Sequence, residues 1–174
     1  GNGSIVLSVG TSLYLTEGNA AAGDGAVSAD GSGNIHLSAG DTISVGANSI
    51  GADILSGTGH VTLLATTQVN FNANSDIRSD GAGTIDVESS GGSITQVSSS
   101  LLTTGTGNIY LYAANNVKVG DIVTGGAVAV TASTGFINDA GGLRLGLAAD
   151  GTQDLRRQSG LFGDGFGLGF PDGL

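Results

Sequence analysis

The sequence has 174 residues and a formal net charge of −10, from 15 acidic and 5 basic residues. This balance opposes binding to nucleic acid or insertion into an anionic membrane, because both are negatively charged. The absence of cysteine excludes a disulfide scaffold and thiol chemistry, and no apolar run approaches the ~18 residues that span a bilayer.

A Gly-x-Gly-x-apolar-x-apolar unit recurs along most of the chain. Its copies begin at Gly1, Gly31, Gly57, Gly81 and Gly105, with a degraded copy from Thr124. A period near two dozen residues is in the range of solenoid rungs. The 33 glycines fit this reading because glycine supplies tight turns, and Val, Ile and Thr suit short strands.

Each unit is followed by apolar residues at every second position, which is the signature of a half-buried strand. The predicted inward pairs of this first strand are Ile5/Leu7, Ile35/Leu37, Val61/Leu63, Ile85/Val87, Ile109/Leu111 and Val128/Val130. A second strand about eight residues later would point Leu13/Leu15, Ile43/Val45, Val69/Phe71, Ile94 with Val97, Val117/Val119 and Phe136 inward. A third apolar position in each rung is predicted at Val27, Ile54, Ile77, Leu101 and Ile122.

Three short strands per repeat predict an all-β parallel β-solenoid, or β-helix, of about six rungs over residues 1–138. Equivalent positions would stack at the strand spacing of about 4.8 Å. Right-handed winding is expected, because parallel crossover connections are right-handed in about 98% of cases.

Residues 139–174 lose the repeat and form a Gly/Phe-rich C-terminal tail or cap. They are either a loosely docked end or an arm whose Phe162, Phe166 and Phe170 cover an open solenoid end. At the other end, Ile5 and Leu7 belong to a first rung that no sequence feature caps. Because the chain begins inside a repeat, we expect a processed product or a fragment, with either a neighbouring copy or more chain stacked on that rung.

The run Gly33-Asn34-Ile35-His36-Leu37-Ser38-Ala39-Gly40-Asp41-Thr42-Ile43-Ser44-Val45 resembles the haemagglutinin repeats of filamentous-haemagglutinin-type secreted bacterial adhesins. The resemblance extends over residues 1 to about 138. It implies a β-helical shaft in a large exported surface or filament protein, with structural or attachment roles, in the extracellular space or at the cell surface. The rungs here are longer and less even than in that family, and no secretion-targeting domain is present in this sequence.

Candidate site residues lie among the predicted outward positions of the first strand. Asp86 and Glu88 would share one face, with Tyr110 and Tyr112 one rung above them. A carboxylate pair beside stacking aromatics can hold a sugar chain, and two carboxylates can in principle cleave one. The alternative is a set of solvated side chains on a rod surface. Cleavage is disfavoured because neither Lys nor Arg falls in the patch, so we expect no enzyme.

No cofactor is expected. Recurring Asp-Gly pairs, of which Asp30 and Asp80 would stack two rungs apart, leave structural calcium as an alternative, but no ordered calcium loop is present. His36 and His60 fall in different columns, which opposes a two-histidine metal site.

Together these patterns predict a structural extracellular protein, either the shaft of a secreted adhesin or the subunit of a self-assembling filament. Its partners would be copies of itself stacked head to tail, or the rest of a longer chain. The alternative is a polysaccharide-binding or polysaccharide-degrading solenoid that recognises cell-surface glycans.

Overall fold

The computed structural model describes residues 2–16, 26–47 and 51–140, together with the backbone of 145–146 and 154–155. All regular structure in these residues is β. The strands are β1 (Ile5–Val9), β2 (Leu13–Leu15), β3 (Val27–Ala29), β4 (Ile35–Ala39), β5 (Thr42–Val45), β6 (Ile54–Ser56), β7 (Val61–Ala65), β8 (Gln68–Phe71), β9 (Ile77–Ser79), β10 (Ile85–Ser89), β11 (Ser93–Gln96), β12 (Leu101–Thr104), β13 (Ile109–Ala113), β14 (Val117–Val119), β15 (Asp121–Val123), β16 (Val128–Ala132), β17 (Ile137–Asp139), β18 (Leu145–Gly146) and β19 (Asp154–Leu155).

The strands form three parallel sheets that run along one axis. Sheet A has the order β1-β4-β7-β10-β13-β16-β19, sheet B contains β2-β5-β8-β11-β14-β17, and sheet C contains β3-β6-β9-β12-β15-β18. Each rung contributes one strand to each sheet, and each strand pairs with its equivalent in the next rung. The predicted parallel β-solenoid of about six rungs is therefore confirmed, while the hand of its winding stays a prediction.

The core consists of stacked apolar columns, and the predicted inward pairs of the first strand are confirmed by the register. Ile85, for example, lies between Val61 and Ile109 in adjacent strands, and all three side chains are buried. The first rung is less enclosed, since β1 is the edge strand of sheet A in the described part of the chain. There Leu7 is 38% exposed and Ile5 is partly buried.

Three predicted core positions are wrong by one residue. Leu102, not Leu101, pairs with Ile77 and Ile122 in sheet C. Ile137, not Phe136, continues sheet B opposite Val117, and Phe136 is 54% exposed. These errors share a cause: a strand side chain changes face with every residue, so a one-residue difference in corner length exchanges inside for outside.

At the third position the buried residue is polar, whereas the prediction had placed an apolar residue there. Gln96, not Val97, pairs with Phe71 in sheet B, and its side chain is completely buried. Its amide nitrogen Nε2 donates to the carbonyl oxygens of Ser100 at 3.0 Å and Asp121 at 2.9 Å. Both of its N–H groups therefore have acceptors, while its buried Oε1 has no partner.

From the second rung onward, the second glycine of each clear Gly-x-Gly unit is required by close stacking of the corners. A Cβ atom at Gly59, Gly83 or Gly107 would lie 2.1, 2.0 or 1.9 Å from the carbonyl oxygen of the equivalent glycine one rung earlier. Such distances are below any van der Waals contact. These glycines are not among those with positive φ, which in the described residues are Gly31, Gly46 and Gly51. The recurring motif therefore marks where the backbones of successive rungs approach each other, as well as where the chain turns.

Side-chain ladders join the rungs beside the same corner. The buried hydroxyl groups of Ser56 and Ser79 donate to the carbonyl oxygens of Gly33 (3.0 Å) and Gly59 (2.9 Å). Just before sheet A, the side-chain oxygen of Asn34 accepts the backbone N–H of His60 at 2.9 Å. The two serine bonds satisfy polar groups that would otherwise be buried unpaired, whereas the Asn34–His60 bond joins exposed corners.

The solenoid pairing continues beyond residue 138 in two short strands. β18 pairs with β15 in sheet C, and β19 pairs with β16 in sheet A. The predicted boundary at 138 stays a prediction, because most of 139–174 lies outside the described residues, including Phe162, Phe166 and Phe170. None of the described residues belongs to a helix of the length and apolarity that crossing a bilayer requires.

Candidate functional site

The outer face of sheet A brings the four predicted site residues together. In the register of β10 and β13, Asp86 pairs with Tyr110 and Glu88 pairs with Tyr112. Since these strands alternate buried and outward residues, all four side chains leave the same side of the sheet. We call them the carboxylate–tyrosine block.

The geometry of the block follows from the pleat of the sheet. Neighbouring strands lie about 4.8 Å apart, and residues two positions apart along one strand are separated by roughly 6.6 Å. Each carboxylate therefore has a phenol ring beside it in the next rung. On the opposite side of β10, Asp86 and Glu88 are flanked by Thr62 and Leu64 of β7.

The block combines partial burial with concentrated negative charge. Burial raises the pKa of Asp86, and the neighbouring carboxylate of Glu88 raises it further. Burial also raises the pKa of Tyr110, with added contributions from Asp86, Glu88 and Tyr112. Tyr110 is nevertheless 40% exposed, so it offers an accessible aromatic side chain.

One atom of the block lacks a hydrogen-bond partner. Oδ1 of Asp86 is shielded from solvent and accepts no hydrogen bond from the protein. A shielded carboxylate oxygen without a donor is energetically unfavourable. The site therefore has an acceptor that the protein leaves unsatisfied, and a donor group reaches it only after the Asp86 side chain rotates.

Positively charged side chains of the described residues lie on the other two sheets. Arg78 is an outward residue of β9 in sheet C, and Lys118 is an outward residue of β14 in sheet B. His36 does lie on the outer face of sheet A, opposite Thr62, but two rungs from Asp86. The arrangement can accept hydrogen bonds and stack on an apolar surface, and no Lys or Arg of the described residues lies where charge would develop during bond cleavage.

A concave feature, which the sequence patterns did not indicate, lies on sheet C. It is an open groove of about 720 Å³ lined by Ser28, Ala29, Asp30, Gly31, Asp53, Leu55, Ser56, Gly57, Asp76, Arg78, Ser79, Asp80, Leu101, Thr103, Thr104 and Gly105. Within it, Arg78 and Asp80 form an exposed ion pair. The recurring aspartate before the third strand, at Asp53 and Asp76, was the available signal for this feature.

The carboxylates of the groove are already used in joining rungs. Oδ1 of Asp53 accepts the backbone N–H of Asp76 at 3.0 Å, and Oδ1 of Asp76 accepts that of Leu101 at 2.9 Å. Burial raises the pKa of Asp76, the hydrogen bond from Leu101 opposes this shift, and the charge of Asp53 adds to it. These residues therefore have a structural role.

The calcium candidates Asp30 and Asp80 line this same groove. The carboxylate of Asp80 is engaged in an ion pair with Arg78, which opposes its use as a calcium ligand together with Asp30. Across residues 2–16, 26–47 and 51–140, no three His, Cys, Asp or Glu side chains form a group that could hold a metal ion. Structural calcium stays an untested alternative.

The two histidines are separated, as their columns predicted. His36 faces outward from β4, whereas His60 lies at the corner before β7. There Nδ1 of His60 accepts the backbone N–H of Thr84 at 3.0 Å. His60 thus acts as one member of the corner ladder.

Comparisons with known proteins identify no relative. No family model matches the chain, and no match is found among curated proteins or solved structures. The likeness to haemagglutinin repeats therefore stays a hypothesis based on the repeat motif.

Proposed function

We propose that this protein is a structural rod, either the shaft of a secreted adhesin or the subunit of a self-assembling extracellular filament. The observation that supports the proposal is the uninterrupted parallel pairing of sheet A, in which seven strands stack in one order along the axis. A surface or extracellular location rests on the resemblance to adhesin repeats. Cell fractionation tests it, since recovery only from the soluble cell interior would contradict export.

The physical basis of the function would be cohesion between rungs. Backbone hydrogen bonds run along the axis, apolar columns fill the interior, and side-chain ladders such as Asn34 to His60 tie the corners. Each rung is stabilised by its neighbours, so the array resists local opening. A rod built in this way would be long and stiff, and a mechanical role of this kind requires no catalytic site.

Assembly would use the ends of the rod. In the described solenoid β1 is the edge strand of sheet A, and Leu7 is 38% exposed there. A further rung could pair with this edge, whether it comes from a second copy or from a longer chain. The predicted contribution of Ile5 and Leu7, and of Phe162, Phe166 and Phe170, belongs to this step.

Light scattering and electron microscopy over a range of protein concentrations test self-assembly. We expect rods that lengthen with concentration, and Leu7→Lys should abolish the lengthening because it places a charge at the edge. Val123→Lys is the matched control, since Val123 is 43% exposed on the side of the rod. A strictly monomeric protein at every concentration would rule out self-assembly. Rapid proteolysis within residues 51–140 would rule out a stiff shaft as well.

A second candidate function, glycan binding, is favoured by the carboxylate–tyrosine block. Two carboxylates that can accept hydrogen bonds lie beside the exposed Tyr110 and the partly buried Tyr112, a combination suited to sugar hydroxyls and to the apolar face of a pyranose. A glycan array tests this with Tyr110→Ala and Tyr112→Ala, which should lose binding. Tyr14→Ala is the control because Tyr14, 63% exposed, lies on sheet B. Array binding that all three variants retain would contradict the assignment.

A further inference from the structure

We infer that the carboxylate–tyrosine block recognises a glycan through a positively charged amino group, so that the ligand is an amine-bearing polysaccharide. The inference rests on the glycan-binding function proposed above and adds the chemical class of the sugar. It follows from the charge of the outer face of sheet A, from the unsatisfied oxygen of Asp86, from the two tyrosines, and from the fact that β10 and β13 are each paired on both sides.

The charge of the face excludes anionic sugars. Asp86 and Glu88 lie on one strand with their side chains on the same side. Among the described residues, the lysine and arginine side chains, Lys118 and Arg78, belong to sheets B and C. The chain as a whole carries a net charge of −10. A uronic acid or sulfated sugar would therefore be repelled by both the local and the overall field.

The unsatisfied acceptor favours a ligand with a strong donor. Oδ1 of Asp86 is shielded and has no hydrogen-bond partner in the protein, but Asp86 as a whole is only partly buried, so a ligand contacts its carboxylate through the other oxygen or after the side chain rotates. An ammonium group supplies three donors with a positive charge to such a carboxylate. Charge-assisted hydrogen bonds of this kind are roughly twice as strong as neutral ones. Burial is the main reason that the pKa values of Asp86 and Tyr110 are raised, and the neighbouring charges, Glu88 for Asp86 and both carboxylates for Tyr110, add to it. A bound cation would offset the repulsion between Asp86 and Glu88.

The tyrosines add a second, independent preference for a cation. Tyr110 and Tyr112 are the direct neighbours of the two carboxylates in the next rung. The faces of phenol rings attract a cation placed within about 6 Å of the ring centre. The same rings offer the carbon-bound hydrogens of a pyranose an apolar platform, so one residue type serves both parts of an amino sugar.

A peptide is disfavoured because the backbone around the block has no free hydrogen-bonding edge. β10 is paired with β7 on one side and β13 on the other, and β13 is paired with β16. An extended peptide cannot add as a strand there, so recognition must occur through side chains alone. Stacking and hydrogen bonds to ring substituents meet that requirement for a sugar.

Calorimetry with a matched set of probes tests the inference on the full chain. The probes are an oligomer of β-1,4-linked glucosamine, the same oligomer fully N-acetylated, an oligouronic acid and an oligolysine, at a pH where the glucosamine amine is charged. We expect the free amine to bind at least about tenfold more tightly than its acetylated form, with no binding of the uronic acid. The preference should decline at high salt, because the two charges are then screened.

Variants separate this interaction from general folding effects. Glu88→Gln keeps the shape and removes a charge, so it should lower affinity for the amine oligomer and leave any affinity for the acetylated oligomer in place. Tyr110→Ala should weaken binding of both. Asp121→Asn is the control, since Asp121 lies on sheet C. Unchanged circular dichroism and unfolding midpoints confirm that each variant is folded.

The outcomes distinguish the inference from the function beneath it. Equal binding of the free and acetylated oligomers would overturn the ammonium inference and leave glycan binding intact. Binding of neither oligomer would overturn both. Oligolysine binding as tight as that of the glucosamine oligomer would show that the ligand class is any cation and would also overturn the inference.

Discussion

Gly107 lies directly over Gly83 in the next rung, so closely that a Cβ atom on Gly107 would be 1.9 Å from the carbonyl oxygen of Gly83. At this corner, successive rungs can therefore stack only if the residue at the Gly107 position has no side chain. This contact gives the recurring glycine a physical reason that is independent of backbone dihedral angles.

Gly107→Ala should destabilise the protein strongly, because the methyl group meets backbone atoms that cannot rotate away. Overpacking of this kind costs about 1–3 kcal/mol, and more where a rigid backbone must move. The unfolding midpoint in urea measures the loss. Gly3→Ala is a matched control in the same motif, since nothing lies within 4 Å of a Cβ there. Similar losses for both variants would show that the glycine is needed for flexibility and not for close approach.

A buried amide in the core leads to a second prediction. Gln96 donates to two carbonyl oxygens, those of Ser100 and Asp121. Gln96→Met preserves length but removes both donors, so it should cost about 1–3 kcal/mol. Gln96→Glu removes the same donors and also buries a negative charge beside two carbonyl oxygens, so its cost should be larger, on the order of 3–5 kcal/mol.

Equilibrium unfolding of the two Gln96 variants against the wild type measures this order of stability. Oε1 of Gln96 has no partner, so removing it recovers part of the loss in the methionine variant. A methionine variant more stable than the wild type would mean that the two hydrogen bonds contribute less than the unpaired oxygen costs.

How well the sequence predicts the inward positions differs between the first and the third strand of each rung. The first strand begins two residues after the second glycine in each of the clear repeats, so Ile35 and Leu37 could be assigned to the interior from spacing alone. Once that register is known, the adjacency of Asp86 and Tyr110 follows. That adjacency was predictable because the four residues lie on the strand that the motif marks.

The third strand has no such marker. Leu101 and Leu102 are adjacent apolar residues, and only the pairing with Ile77 decides which one is buried. The groove of sheet C was missed for the same reason: Asp53 and Asp76 lie just outside their strands, where the direction of a side chain depends on the corner. Residue spacing predicts which side chains stack within strands. The direction of a side chain at a corner depends on the three-dimensional path of the chain, which spacing does not give.

Two aspartates should change stability with pH in opposite directions. Burial, followed by the charge of Asp53, raises the pKa of Asp76 despite a hydrogen bond from Leu101. The folded state then holds a proton on Asp76 that the unfolded state has released, so stability contributed by this group falls as pH rises between the two pKa values. Asp76→Asn keeps an oxygen acceptor for Leu101, so it should be stabilising at neutral pH and should reduce this fall.

Asp41 provides the reverse case. Hydrogen bonds from the hydroxyl groups of Thr67, Ser12 and Thr42 lower its pKa, with the Thr67 contribution largest. Its stabilisation is present above the unfolded pKa and is lost as pH falls through the folded one. Asp41→Asn should therefore destabilise at neutral pH and make little difference in acid. Urea titrations at several pH values measure both aspartates, and equal slopes for the two variants would contradict the assignment.

The corner ladder at His60 leads to a last prediction. Nδ1 of His60 accepts the backbone N–H of Thr84 at 3.0 Å, and the equivalent positions one rung earlier and two rungs later are Asn34 and Asn108. Asn108 accepts the backbone N–H of Ala127 at 2.9 Å in the same way. His60→Asn should thus be tolerated, because an amide oxygen can replace the imidazole nitrogen as acceptor.

His60→Ala leaves the Thr84 amide without that acceptor and should cost about 1 kcal/mol. Hydrogen exchange measured at single residues is the direct readout, with faster exchange at Thr84 in the alanine variant and near-normal protection in the asparagine variant. The amide of Ile85 is the internal control, since it donates to the carbonyl oxygen of Asn108 and not to His60. Unchanged protection at Thr84 in His60→Ala would mean that water replaces the side chain at no cost, and the ladder would then be incidental to the stacking of the rungs.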